Sequence, residues 1–222
     1  MIDKYSFDKD YTYVLGIALV IDALKFIPNE IQRVYLSSNA TLNKEYNKLI
    51  SLCKDKNVDY VVDDKVINHL SNKENCYGLA IINKYKTNVN DDRHIILKDF
   101  NDEGEIGTII RTMASFDYKN LIFINCDIDI YDPMVIRSSM GGYFYVNKEF
   151  FNSLDQYYDK YHREYVSIGL KGDNLLKEDI KINDKGLLFN NSLNDYFVKH
   201  KDDSCLSVSS IVGITLDLFK KL

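Results

Sequence analysis

The chain has 222 residues, 45% of them apolar, and carries 28 basic against 33 acidic side chains for a net charge of −5. That apolar share is enough for the core of one large or two small domains, and the acidic balance excludes nucleic-acid binding by global attraction, so any RNA contact needs local patches. The four cysteines, Cys53, Cys76, Cys126 and Cys205, stand singly, without the close pairs that zinc sites and redox motifs use, as expected in the reducing cytoplasm.

The first residues carry Asp3, Asp8 and Asp10 instead of a basic leader, and the apolar run "YVLGIALVI" ends at Asp22, too short for a bilayer, so neither export nor a membrane anchor is expected. Residues 11–26, "YTYVLGIALVIDALKF", place Val14, Leu15, Ala18, Leu19, Ile21 and Leu24 near helical spacing and predict a helix. "QRVYLSS" reads as a strand, and "LNKEYNKLISLCKDKN" as a helix with Tyr46, Leu49, Ile50 and Cys53 on one face. "VDYVVDD" and "YGLAIINKY" are β-rich. The polar, aperiodic "TNVNDDR", residues 87–93, is the expected boundary between a domain over 1–90 and a second over 94–222.

The second part alternates again. "HIILKDF" predicts a strand and residues 106–116 a helix with Ile106, Ile109, Ile110 and Met113 inward. "NLIFINC" predicts a strand buried on both faces. In "YDPMVIRSS", Asp132 suits an N-cap and Pro133 the first helical position. "GGYFYV" then reads as a strand, "NKEFFNSLDQYYDKYH" as a helix, "EYVSIG" and "GLLFNN" as strands, and "SCLSVSSIVGITLDLFKKL" as the closing helix. Such alternation predicts an α/β fold whose ligands bind beyond the carboxyl ends of the strands.

Chemistry concentrates at one such end. In "NDEGEIGTIIRTMASF", Gly104 and Gly107 follow a strand and open a helix whose amides suit an anion, and Arg111 lies further along it. Alone, this GxxG turn is also read as a tight bend, with Glu105 favouring the helix start and Arg111 solvated. The tyrosines of residues 147–162 suit either base stacking or, more commonly, inward packing. His69, His94, His162 and His200 lack metal-ligand spacing, so no metal is expected.

A second stretch narrows the choice. "EGEIGTIIRT" followed by "YDPMVIRSSMGGYF" resembles the first two motifs of the SpoU/TrmH family of RNA 2′-O-ribose methyltransferases. Glu105, Gly107 and Arg111 take the places of an N-x-G-x-x-x-R motif, and Arg137, Ser139 and Gly141 those of an R-x-S-x-G-like turn. "GLLFNN" with "CLSVSSIVGITLDLF" resembles the third motif: Asn190 and Asn191 stand in its G-N-E turn, and Cys205, Leu206 and Ser207 in its S-L-N helix start. The first ninety residues resemble the family's substrate-binding domain, notably "GIALVIDALKF" and "NCYGLAII".

The resemblance implies a small α/β substrate-binding domain followed by a Rossmann-like, trefoil-knotted SPOUT methyltransferase domain, usually dimeric through the knot. It implies S-adenosylmethionine held by Phe189, Asn190, Asn191, Phe197, Cys205, Leu206 and Ser207. A tRNA or rRNA would be held by Arg111, Arg137, Ser139 and Gly141, with Arg111, Glu105 and Ser139 at the reacting atoms. Three departures stand out: Glu105 replaces the first motif's asparagine, the G-N-E-G turn reads "NNSL" before a shortened segment from Asn191 to Cys205, and Ser207 stands for the asparagine of S-L-N. They leave open a second reading, an inactive paralogue that binds or scaffolds RNA.

Overall fold

The computed structural model describes residues 2–71, 76–169, 173–174, 185–190, 196–197 and 206–219, the side chains of 173–174 and 196–197 excepted. Two compact units form, one from Met1–Tyr85 with Asp129–Phe144 and the other from Lys86–Ile128 with Tyr145–Leu222. The first unit therefore takes back a segment from beyond residue 94, where the sequence suggested a single crossing.

The expected helix over 11–26 is in fact two elements, strand β1 (Tyr11–Leu15) and helix α1 (Ile17–Phe26). Alternating aromatic and β-branched residues at 11–14 suit a pleated strand, and Gly16, at φ 106°, makes the break that a side chain would resist. Next come β2 (Ile31–Leu36), α2 (Tyr46–Asp55), β3 (Tyr60–Val62), α3 (Asp64–Leu70) and β4 (Gly78–Asn83). Helix α3 escaped the sequence reading, although Asp63 caps it by accepting from the Lys65 and Val66 amides at 3.0 and 3.1 Å. The strands form one sheet ordered β1-β4-β2-β3, with β4 antiparallel to both neighbours and β3 parallel to β2. On α2, Leu49 and Cys53 are buried and Tyr46 and Ile50 half-buried, the face that the spacing predicted.

The second unit opens with β5 (His94–Lys98), α4 (Glu103–Ser115) and β6 (Asn120–Ile124). Helix α4 starts three residues before its expected first turn because Asp102 caps it, its carboxylate accepting the Glu105 amide at 2.7 Å. Ile106, Ile109, Ile110 and Met113 are all buried, as their spacing required, and so is every residue of β6. The chain then contributes α5 (Pro133–Ser138) to the first unit, where it packs on β1. Asp132 caps α5 by accepting from the Met134 amide at 2.6 Å, with Pro133 at the first position.

Beyond α5 two expectations are corrected. "GGYFYV" is a short 3-10 turn at Gly142–Phe144 with buried aromatics, not a strand, and the predicted helix over 147–162 splits into β7 (Asn147–Phe151) and α6 (Leu154–Tyr161). Pairing with β6 overrides local period in β7, and Ser153 starts α6 by accepting from the Gln156 amide at 3.3 Å. The chain continues through β8 (Tyr165–Gly169), β9 (Asp173–Asn174), β10 (Gly186–Phe189), β11 (Tyr196–Phe197) and α7 (Val208–Leu218). The seven strands run in the order β7-β6-β5-β10-β8-β11-β9, each pair parallel. Chain order reverses between β5 and β10, and at such a switch point open α/β sheets place their ligands in the crevice outside the strands' carboxyl ends.

The opposite end of this sheet is closed by aromatic packing. Tyr157 of α6 is fully buried and lies against the buried His94, inward as core tyrosines usually are, while Tyr158 stays exposed. The Asn90 carbonyl only accepts, so His94 donates through Nε2 at 2.8 Å and its Nδ1 accepts the Tyr157 hydroxyl at 2.9 Å. Burial lowers the His94 pKa from 6.5, so the unfolded chain binds the proton more readily. Stability from the neutral ring is thus complete above about pH 6.5 and drains as pH falls toward the lowered native value. Tyr157→Phe should cost about 1–2 kcal/mol in urea denaturation at neutral pH, since it leaves Nδ1 buried without its donor.

Candidate active site

The crevice between β5 and β10 is built from helix ends. β5 leads through Asp99, at φ 60°, and the buried Phe100 into the Asp102 cap of α4. β10 is wholly buried and apolar at Leu187, Leu188 and Phe189, then presents a buried carboxamide, Asn190. Helix α7 packs along α4, with Gly213 facing Thr112: a Cβ on Gly213 would lie 3.6 Å from the Thr112 methyl.

Glu105, half-buried in the first turn of α4, turns its carboxylate to α7, where Oε1 accepts the Ser209 amide at 3.0 Å. Ser207 is the N-cap of α7 and accepts the Ser210 amide at 3.3 Å, and the half-buried Leu206 precedes it. The structure therefore brings together Glu105, Leu206 and Ser207 at the joined starts of α4 and α7. Asn191 and Cys205 lie outside the described residues, and Phe197 is described only as part of β11.

Arg111 is exposed two turns along α4, on the side shared by Thr108 and Ser115. Among the described residues its guanidinium makes no hydrogen bond or ion pair. Its planar fork of donors is thus open to a phosphate or ribose oxygen.

The second-motif residues belong to the first unit. Arg137, exposed in the last turn of α5, lines a cavity of about 270 Å³ with Gly16, Ala18, Asn43, Tyr77 and Met140. The same cavity borders the start of α1, which has neither a side-chain cap nor an acidic residue in its first turn, so its free amides suit an anion, although Glu45 in the same lining sets a carboxylate against it. Ser139, expected at the reacting atoms, is fully buried. Its hydroxyl donates to the Ile136 carbonyl at 2.7 Å and accepts the Tyr143 amide at 3.2 Å, which holds the turn.

Gly141 follows at φ 94°, where an added Cβ would fall 2.6 Å from a carboxylate oxygen of Asp22 on α1. Gly141→Ala should therefore lower stability by about 1–2 kcal/mol in chemical denaturation, through backbone strain and a displaced Asp22.

Sequence reasoning missed Asp102, Asp22 and the anchors at the far end of α7, where the Phe219 carbonyl accepts from the Tyr118 hydroxyl at 2.8 Å and from Arg93 at 3.3 Å. Only Asp102 carried a local signal, as the first residue of the capping-box pattern D-x-x-E.

Two family models match this chain. One, described as RNA 2′-O ribose methyltransferase substrate binding, covers residues 13–86, and the other, the SpoU rRNA Methylase family, covers residues 92–190. No curated protein matches the chain. Among solved structures, the AdoMet-bound rRNA methyltransferase from Sinorhizobium meliloti is similar at TM-score 0.74 and 16% identity, over 94% of this chain and 86% of that one. AviRb, a SpoU methyltransferase from Streptomyces viridochromogenes in complex with AdoMet, gives 0.74 and 17% over 94% and 89%. A TrmH-family protein from Porphyromonas gingivalis gives 0.73 and 15% over 96% and 90%. At such identities these likenesses speak for the fold. With both halves of the family's architecture matched in tandem from residue 13 to residue 190, the chain belongs to the SpoU family of RNA methylases.

Proposed function

We propose that the protein transfers a methyl group from S-adenosylmethionine to a ribose 2′-hydroxyl in a structured tRNA or rRNA. The observation that carries this reading is Arg111, exposed and open to a ligand on the helix that leaves the β5–β10 crevice. Support for the cofactor comes from the family and from two relatives of the same fold solved with AdoMet.

The residues present fit such a cofactor. The buried amide of Asn190 closes an otherwise apolar strand and Leu206 offers a half-buried aliphatic surface, a mixed lining that suits adenosine. When bound, the sulfonium supplies an activated methyl group. The chain's own task is positioning, because a neutral ribose hydroxyl is a weak nucleophile. A guanidinium is a donor and not a base, so Arg111 serves by orienting the ribose and neutralising the adjacent phosphate, whose oxygen or a water molecule takes the hydroxyl proton.

Arg137 and the amides at the start of α1 hold RNA backbone in this reading, and Ser139 shapes their turn from within. The carboxylate of Glu105 is engaged by the Ser209 amide, which favours the enzyme over the inactive paralogue. The reading also includes a trefoil thread at α7, a homodimer through that domain and a cytoplasmic location. Helix α7 follows β11, which lies beyond β10 and β8 from β5, yet it returns to pack on α4, as a threaded helix would. Among the described residues no helix is long and apolar enough to cross a membrane.

Calorimetric titration with S-adenosylmethionine tests the pocket: saturable micromolar binding is expected, and none up to millimolar would shift the account to an RNA-binding or scaffolding protein. Light scattering should return twice the chain mass.

A further inference from the structure

Asp102 and Glu105 form the sequence pattern of a capping box, in which the acid at the third helical position reaches back to the amide of its own N-cap. Only half of that device is present. Asp102 accepts the Glu105 amide at 2.7 Å, but the Glu105 carboxylate is diverted to α7, 104 residues on in sequence, and accepts the Ser209 amide at 3.0 Å. Ser209 is the second residue of α7, where an amide has no partner within the helix. A carboxylate there also meets the positive end of the helix dipole.

The other end of α7 is tied to the same β5–α4–β6 stretch. Arg93 precedes β5, Tyr118 follows α4, and both donate to the Phe219 carbonyl, placing a cation at the negative end of the helix. Between the two ties, Gly213 lies against Thr112. Helix α7 is thus held in register along α4 at three points. The Glu105 tie is the one adjoining Leu206 and Ser207.

We propose that Glu105 is a positioning residue for the cofactor: it acts through the first turn of α7 to hold the Leu206–Ser207 segment at the carboxyl end of the sheet. The inference rests on the reading of that segment as part of the S-adenosylmethionine site. It accounts for an acid where the family motif has asparagine, since either side chain offers the accepting oxygen and the acid adds the dipole interaction.

The test compares Glu105→Ala with Glu105→Gln, which keeps an acceptor, in the full-length protein. Two readouts are taken: amide hydrogen exchange across residues 208–212, and S-adenosylmethionine binding with steady-state kinetics. In the alanine variant, exchange at Ser209 should quicken about tenfold and KM for S-adenosylmethionine should rise about tenfold, with kcat within about twofold of wild type. The glutamine variant should restore most of both losses.

Three results would overturn the role. They are an alanine variant with wild-type exchange and KM, a glutamine variant as impaired as alanine, or a fall in kcat at unchanged KM, which would place the carboxylate in the chemical step. Wild-type protein that binds no S-adenosylmethionine would remove the function reading and this role together. Wild-type binding matched by the alanine variant would remove this role alone.

Discussion

Arg111→Ala is expected to lower methyl transfer by about 100- to 1,000-fold, the scale of losing one preorganised charged donor at a reacting centre. The expected loss lies in turnover more than in cofactor affinity, because Glu105, Asn190 and Leu206 are untouched. Stability should change by less than about 0.5 kcal/mol, since Arg111 is exposed and, among the described residues, its guanidinium holds no partner. Arg111→Lys should recover little, as a lysine keeps the charge but not the planar fork that grips phosphate and ribose together. An alanine variant with wild-type turnover and a normal fold would remove Arg111 from the mechanism.

The second large effect concerns stability. Lys148 on β7 is only 7% exposed, and burial pushes its pKa from 10.5 down to about 7. The native state therefore binds this proton less tightly than the unfolded chain, so the lysine's burden on stability is greatest below about pH 7 and fades as pH rises toward 10.5. Lys148→Met, similar in length and apolar, should abolish this slope, so that its stability relative to the wild type is higher at pH 6 than at pH 9 by on the order of 2–3 kcal/mol. Denaturant midpoints of both proteins at the two pH values measure this. A gain that does not vary with pH would mean that Lys148 is charged in the folded protein throughout.

The elements that were legible in the sequence are those where local pattern and tertiary demand agree. Helix α4 declared itself through Ile106, Ile109, Ile110 and Met113, and β6 through an unbroken apolar run that only a strand covered on both faces tolerates. The failures fall where two elements share one apolar stretch. Residues 11–26 satisfy a helical period on both sides of Gly16, and nothing local says that Tyr11–Leu15 pairs with β4. Residues 147–162 begin as a strand only because β6 offers its edge. The return of Asp129–Phe144 to the first unit is likewise a matter of packing on β1, which no local signal encodes.

The candidate site was legible as a set of motifs and not as a division of labour. The spacing of Glu105, Gly107 and Arg111 singled out helix α4 as the candidate. Which of them faces solvent depends on α7, which reaches that helix from more than ninety residues away and engages Glu105. Ser139 was singled out by its motif, yet its burial and its two hydrogen bonds arise from a turn whose conformation Gly141 makes possible.

Methyl transfer to RNA is tested by incubating the protein with methyl-labelled S-adenosylmethionine and either total tRNA or ribosomal RNA, followed by nucleoside analysis. Label is expected in a 2′-O-methylated nucleoside of one of these RNAs and is expected to be lost in Arg111→Ala. Label in neither RNA, from protein that also fails to bind S-adenosylmethionine, would contradict methyl transfer.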